Sequence, residues 1–404
     1  MAKMSMLLPG SETCGFDKRA FYRKTLALLG ACCLFLSAVE YLLPKPLPFL
    51  RIGIANLPLM LALDIFPFGT FLILVCIKVF GQALITGTLF SYVFLFSLTG
   101  TFFSALLMFA LRRILKPHRI TFVGIGTAGA MVSNVSQLAL AHVFIFRESA
   151  RYIAPPFLAA GLITGIALGV FCEVFTRQRA VSSEQGAEGR EQVAGSGASV
   201  SENNFYERLF SARALFVTGL FIMPALLFNP STEFRVLLFL FLWFLVWLFG
   251  RNTKPLLTIL VIAGIVAFNL LIPYGRVLFS FGPFKITSGA LTAGIHRAVT
   301  FEALIMLSKL SIRQDLKIPG AFGDLLGESL RIFSAMMNRK FRITPKTFIA
   351  DIDNLLLELN AEEIPAPVAR KQKTTPAGYA VLVIVIILSW LPWLISFLKQ
   401  TPKI

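Results

Sequence analysis

The stretch ALITGTLFSYVFLFSLTGTFFSALLMFAL, residues 83–111, runs without a formal charge, and so does ITFVGIGTAGAMVSNVSQLALAHVFIF, residues 120–146. Each exceeds the roughly 20 apolar residues that carry a helix across the hydrocarbon core of a bilayer. Between them lie Arg112, Arg113, Lys116 and Arg119, a short basic connector of the kind held on the cytoplasmic side of a membrane. Two spans and a basic turn decide the fold class.

Composition agrees. Of 404 residues 56% are hydrophobic, 40 are Phe and only 15% are charged, whereas soluble domains carry about 25% charge. Working outward, apolar runs predict six spans in the first half, near 22 to 43, 52 to 66, 70 to 87, 91 to 112, 120 to 146 and 153 to 176. Residues 177 to 204, rich in Gly, Ser, Glu and Gln, read as a flexible linker. Spans resume near 211 to 229, 234 to 250, 255 to 274 and 286 to 308, and a last one covers 376 to 398. The expected fold is an all-α polytopic membrane bundle of six spans plus about five. The run 286 to 308 contains His296, Arg297 and Glu302, which must face protein rather than lipid.

The net charge of +17 comes from 38 Lys and Arg against 21 Asp and Glu. Those cations cluster at the ends of apolar runs, where they anchor and orient spans, so nucleic acid is not expected as a partner. Lys18, Arg19, Arg23 and Lys24 precede the first span and place the N-terminus in the cytoplasm of a multi-pass cell-membrane protein. The first span ends in Glu-Tyr-Leu-Leu-Pro without a small-residue cleavage site and reads as uncleaved. Alternation then puts Arg177, Arg179, Arg251, Lys254 and the charged segment 309 to 373 inside. Residues 320 to 360 read as a cytoplasmic amphipathic segment, with Leu325, Leu326, Ser329, Leu330, Phe333 and Met337 at helical spacing and Arg331 and Arg339 off that stripe. It is either an interfacial helix or a docking helix for a partner.

Ionisable and amide groups inside spans are functional hypotheses, because each needs a partner in hydrocarbon. Glu40, Lys78, Gln82, Asn134 and Gln137 qualify, and alternation places them in the middle and outer half of the membrane as a pocket opening outward. Lys78 and Gln82 share one helix face, and Gly126, Ala130 and Asn134 another. Two readings stay open: a solute pocket, or an ion pair of Lys78 with Glu40 and amides that only bridge helices. His142 reads as a packing residue, Asp64 as an inner-end residue outside the pocket, and the loop Pro44 to Arg51 as either a lid or a tight turn. Five Cys lack metal-ligand spacing, and neither a phosphate-binding Gly-rich loop nor His-Glu-x-x-His occurs. The acidic pair Asp351 and Asp353 stands without the repeated aspartates that hold magnesium on a diphosphate. No catalytic residue, metal or cofactor is expected, and the chain reads as a non-enzyme.

Three ordered motifs carry a resemblance: Leu50-Arg-Ile-Gly-Ile-Ala-Asn-Leu-Pro58, Gly81-Gln-Ala-Leu-Ile-Thr-Gly-Thr-Leu-Phe-Ser91 and Gly129-Ala-Met-Val-Ser-Asn-Val-Ser-Gln-Leu138. Residues 20 to 178 resemble the Gx transporter family, also labelled heptaprenyl diphosphate synthase component I. Arg51 and Asn56, in the first motif, join the candidate substrate-binding set. That family is similar to the six-helix S components of energy-coupling-factor importers, which implies a solute-binding role and a helix-contact face at Ala27 and Ala31. The stretch from Phe284 to Arg297 and the amphipathic segment after it resemble the T component of the same importers. The expected organisation is therefore an S-like domain at 1–178, a linker at 179–204 and a T-like coupling domain at 205–404. The resemblance implies as partners a small-molecule solute of vitamin-like class, membrane lipid and separate cytoplasmic ATP-binding-cassette ATPase subunits. No Ala-Arg-Gly coupling motif occurs, so Arg331 and Arg339 stand as the candidate coupling residues. The rival readings are a membrane subunit of a polyprenyl diphosphate synthase and a noncatalytic membrane scaffold.

Overall fold

A computed structural model describes residues 18–42, 53–115, 120–182, 210–229, 231–250, 255–281, 284–313, 316, 318–338 and 374–400. In the first half lie α1 (Lys18–Leu42), α2 (Leu57–Ala62), α3 (Phe68–Thr86), α4 (Tyr92–Ile114), α5 (Phe122–Ala141) and α6 (Ala150–Ser182). In the second lie α7 (Ala212–Phe228), α8 (Thr232–Leu248), α9 (Pro255–Leu270), the antiparallel hairpin β1 (Val277–Phe281) and β2 (Phe284–Thr287), α10 (Ser288–Ser311), α11 (Ala321–Asn338) and α12 (Pro376–Gln400). The protein is an all-α bundle, and among the described residues six helical stretches are long and apolar enough to cross a membrane. One of these, Phe122–Thr176, has 55 residues and turns back on itself at a π-helical turn, His142–Phe146, and a 3-10 turn, Arg147–Ser149. It is a multi-pass membrane protein.

One expected span comes out differently. The run 52 to 66 forms a 3-10 turn at Ile54–Asn56 and a helix of six residues, about 9 Å of helix. Gly53, at φ 84°, breaks the chain direction ahead of it, and Pro58 sits in the first turn. The hairpin between α9 and α10 occupies the connection between the spans expected at 255 to 274 and 286 to 308.

Lipid tails are as apolar as Leu, so helices in a bilayer are joined by close packing and hydrogen bonds rather than by expulsion of water. The α5–α6 pair shows this directly. Gly161, Gly165 and Gly169 recur every four residues on α6: Gly165 and Gly169 meet the backbone of Gly126, Thr127 and Val123 on α5, and Gly161 faces the Asn134 side chain; a Cβ added to Gly169 would lie 2.4 Å from Val123 Cα. At one end of this half, Arg112 binds Asp64 with two hydrogen bonds of 2.8 and 2.6 Å and stacks over Phe122 at 4.7 Å. Asp64 thus lies near the end of the bundle and lines no cavity, as its position in the sequence implies.

The second half is built around α10. Glu302, Thr300 and Ser308 are buried within it, so the polar groups of this run face protein. Its helix α12 runs beside α7, tied by Thr374 to Ser211 at 2.8 Å and by Trp390 Nε1 to the Phe221 carbonyl at 3.1 Å.

The two halves are inclined to one another. The turn before α4 and the turn before α6 lie at the same end of the first-half bundle. The first reaches Ser308 through Phe90 N–H at 3.1 Å, and the second reaches Asn269, which in turn binds Arg297. Arg297 and Ser308 are about 16 Å apart along the helix, so α10 crosses the end of the first bundle instead of running alongside its helices. The end of the first bundle that alternation places outward abuts the second half. The amphipathic helix α11 also packs on protein: Leu326, Ser329, Ile332, Phe333 and Met336 are buried against α1 and α3, while Met337, expected on the same stripe, is exposed.

Candidate functional site

Lys78 lies in the middle of α3, inside an apolar run, and is only 4% exposed. A buried ammonium needs acceptors, and its Nζ donates to Asn56 Oδ1, from the 3-10 turn ahead of α2. One turn further along α3, Gln82 faces the same way. Both line an enclosed cavity to which every helix of the first half contributes. Glu40 of α1, Asn56, Lys78, Gln82, Asn134 and Gln137 all line it, so six sequence-selected residues separated by almost a hundred positions converge on one space. The seventh, Arg51, lies outside the described residues, as does the Pro44 to Arg51 loop.

The two amides of α5 are fixed by their neighbours. Asn134 Nδ2 donates to the Phe157 carbonyl of α6 at 2.8 Å, and the absent side chain of Gly161 makes room for it. Gln137 Nε2 donates to Ser133 Oγ at 2.9 Å and packs where Gly100 of α4 leaves space. Each amide therefore bridges or braces helices and lines the cavity at once.

Among the lining residues that the sequence does not single out, three lie on one stripe of α4. Ser97, Thr101 and Ser104 of α4 are buried on one face and turn their hydroxyl-bearing side toward the cavity. Their spacing of four and three was a usable signal, since small hydroxyl residues on one stripe of an apolar helix mark a face that meets protein. Met60 and Met108 supply apolar wall. The cavity measures about 50 Å³, room for about three to five water molecules. A larger solute requires its helices to separate.

His142 is exposed at the π turn and does not line this cavity. Ala27 and Ala31 are fully buried, in a cluster with Ile332, Phe333 and Met336 of α11. The face expected to contact a T component therefore meets α11 of the same chain. Gly30 on this face would carry a Cβ 2.7 Å from Ser329 Oγ, and Arg23 pairs with Glu328 at 3.5 Å. Arg331 is half-buried, with its Nε enclosed and without a hydrogen-bond partner, and Arg339 lies outside the described residues.

These first-half helices carry the three motifs named above. Residues 29–175 match the family model of heptaprenyl diphosphate synthase component I. The component I match starts within α1 and ends within α6, enclosing all the lining residues of the cavity. Residues 212–314 match a second family model, described as a domain of unknown function (DUF8519). No curated protein and no solved structure matches the chain.

Proposed function

We propose that the chain is the membrane component of an importer of the energy-coupling-factor kind. Its first half holds a small polar solute in the enclosed cavity, and its second half couples that half to separate cytoplasmic ATPase subunits. The observation that carries this reading is the convergence of Glu40, Asn56, Lys78, Gln82, Asn134 and Gln137 on one space inside a membrane bundle. Ionisable and amide groups at membrane depth are costly and line solute pathways when they gather round a cavity. With one carboxylate and one ammonium among the lining residues, the solute class is a neutral or zwitterionic molecule rich in hydrogen-bonding groups. The contact of α11 with the Ala27 and Ala31 face supplies the mechanical link between the halves. Because the loop end of the first half abuts α10, release and capture involve rotation of that half against the second. The N-terminus lies in the cytoplasm and the protein in the cell membrane, a reading supported by Lys18, Arg19, Arg23 and Lys24 in the first turns of α1, ahead of its apolar run.

The test is purification of the full chain in mild detergent with mass spectrometry of retained small molecules and proteins. The expected result is a polar solute carried by the wild type, with ATPase subunits in the same fraction, and loss of the solute in Lys78→Met at an unchanged melting temperature. Retention of the same solute by Lys78→Met refutes the pocket. The description of the matching family favours a second reading, a membrane subunit of heptaprenyl diphosphate synthase. Prenyl chain elongation in membranes that disappears on deletion of this chain, with solute uptake intact, would establish that reading instead.

A further inference from the structure

A second cavity lies where the two halves meet, at the end of the bundle where α8 and α10 begin and α9 ends. It is open, measures about 570 Å³, and is lined by Arg147, Thr232, Ser288, Thr292, His296 and Arg297 among others. Arg147 comes from the turn between α5 and α6, and the others from the second half. No carboxylate lines this space.

The charges around it are not balanced from within. Arg297 donates to the neutral Asn269 side chain. Beneath the floor, Arg235 is buried and donates to the carbonyls of Leu227 and Asn229 and to the Thr300 hydroxyl, all neutral. Among the described residues, none of Arg147, Arg235 and Arg297 forms an ion pair. Arg235 and Arg297 with neutral partners, and Arg147 outside any ion pair among the described residues, leave this region electropositive.

We propose that this cavity binds a phosphate-class oxyanion that bridges Arg147 and Arg297. Guanidinium forks match phosphate oxygens in geometry and always carry charge. The Ser288 hydroxyl supplies a further donor, and Thr292, which donates to the Ser288 carbonyl at 2.9 Å, and Thr232 add polar wall. Thr232 Oγ1 is 3.0 Å from His296 Nδ1, which fixes the imidazole beside them. The starts of α8 and α10 add to the field, since neither helix has a side-chain cap over its free N–H groups. The bound group also links Arg147 of the first half to the second half, across the junction that Asn269 already bridges through the Ile145 carbonyl at 3.2 Å. This site stands apart from the enclosed cavity and does not depend on its role.

Phosphate of this kind is supplied either by a soluble anion or by a lipid headgroup. The full chain in dodecyl maltoside is titrated with inorganic phosphate at constant ionic strength, followed by melting temperature. In parallel, it is placed in nanodiscs of phosphatidylglycerol or of phosphatidylcholine, and retained lipid is read by native mass spectrometry. Saturable phosphate binding weakened about tenfold or more in Arg147→Gln assigns a soluble anion. Phosphatidylglycerol retained by the wild type and lost by Arg147→Gln assigns a headgroup, and both results support the site. Arg297→Gln removes binding altogether, and if it fails to fold, Arg147→Gln decides, because Arg147 is exposed. Identical behaviour of wild type and Arg147→Gln toward both probes overturns the proposal, as does an equal loss in Lys285→Gln, an exposed cation on the neighbouring hairpin that does not line the cavity.

Discussion

Replacing Gly169 by Ala tests whether α5 and α6 are held at backbone contact. The added Cβ would lie 2.4 Å from Val123 Cα, 2.8 Å from the Phe122 carbonyl oxygen and 3.0 Å from Val123 N. Carbon atoms in ordinary contact sit about 3.5–4.0 Å apart, so the start of α5 must retreat by about 1 Å. Overpacking of this kind costs about 1–3 kcal/mol. The retreat also strains the hydrogen bond of Phe122 N–H to Glu173 Oε2, 3.3 Å long, worth about 0.5–1.5 kcal/mol. Against this, Ala replaces Gly within a helix, a gain of about 1 kcal/mol. The net expectation is a destabilisation of about 1–2 kcal/mol. Gly264 in α9, where an added Cβ meets nothing within 4 Å, serves as the control, and Gly264→Ala should stabilise by up to about 1 kcal/mol. Unfolding in dodecyl maltoside titrated with sodium dodecyl sulfate, followed by far-ultraviolet circular dichroism, measures both. A Gly169→Ala protein as stable as Gly264→Ala would refute the claim that this glycine ladder sets the helix separation.

Two further outcomes follow from particular contacts. An ideal Cβ on Gly30 lies 3.3 Å from Ser329 Cβ, close to the roughly 3.5–4.5 Å between the Cβ atoms of a disulfide. With Cys32 and Cys33 replaced by Ala, and a protease site placed in residues 183–204, Gly30→Cys/Ser329→Cys should keep the two fragments joined on a non-reducing gel; separate fragments after oxidation would mean that α11 does not pack on α1. Arg147 has φ 47° and ψ −129°, a backbone region that glycine adopts freely and that costs other residues about 1–3 kcal/mol. Arg147→Gly should raise stability by about 1 kcal/mol after the added freedom of the unfolded chain is counted, and a lowered melting temperature would show that the arginine side chain, rather than its backbone, governs this turn.

Much of the candidate site was legible in the sequence. Lys78 stands out because an ionisable group within an apolar run must find partners wherever the helix packs, and Asn134 and Gln137 stand out for the same reason. Serines and threonines give a weaker signal: each can satisfy its hydroxyl on its own helix, as Thr99 does on the Leu95 carbonyl at 2.6 Å. The face of Ser97, Thr101 and Ser104 therefore passed unnoticed. The cavity between Arg147 and Arg297 was hidden for another reason, since its two arginines are 150 positions apart and each alone reads as the anchor of a helix end.

By itself, the sequence determined the membrane class and the identity of the buried polar groups. These depend on the length of apolar runs and the placing of charges, which are local properties of the chain. Only the tertiary structure decided that six of those groups share one cavity, that α2 is a six-residue helix, that α11 rests on the Ala27 and Ala31 face, and that α10 crosses the end of the first bundle. In a bilayer the apolar surface of one helix is much like that of the next, so hydropathy fixes which segments are helical and leaves their neighbours open. Which faces meet is settled by where glycines allow backbones to approach, and that is a property of pairs of helices rather than of either one.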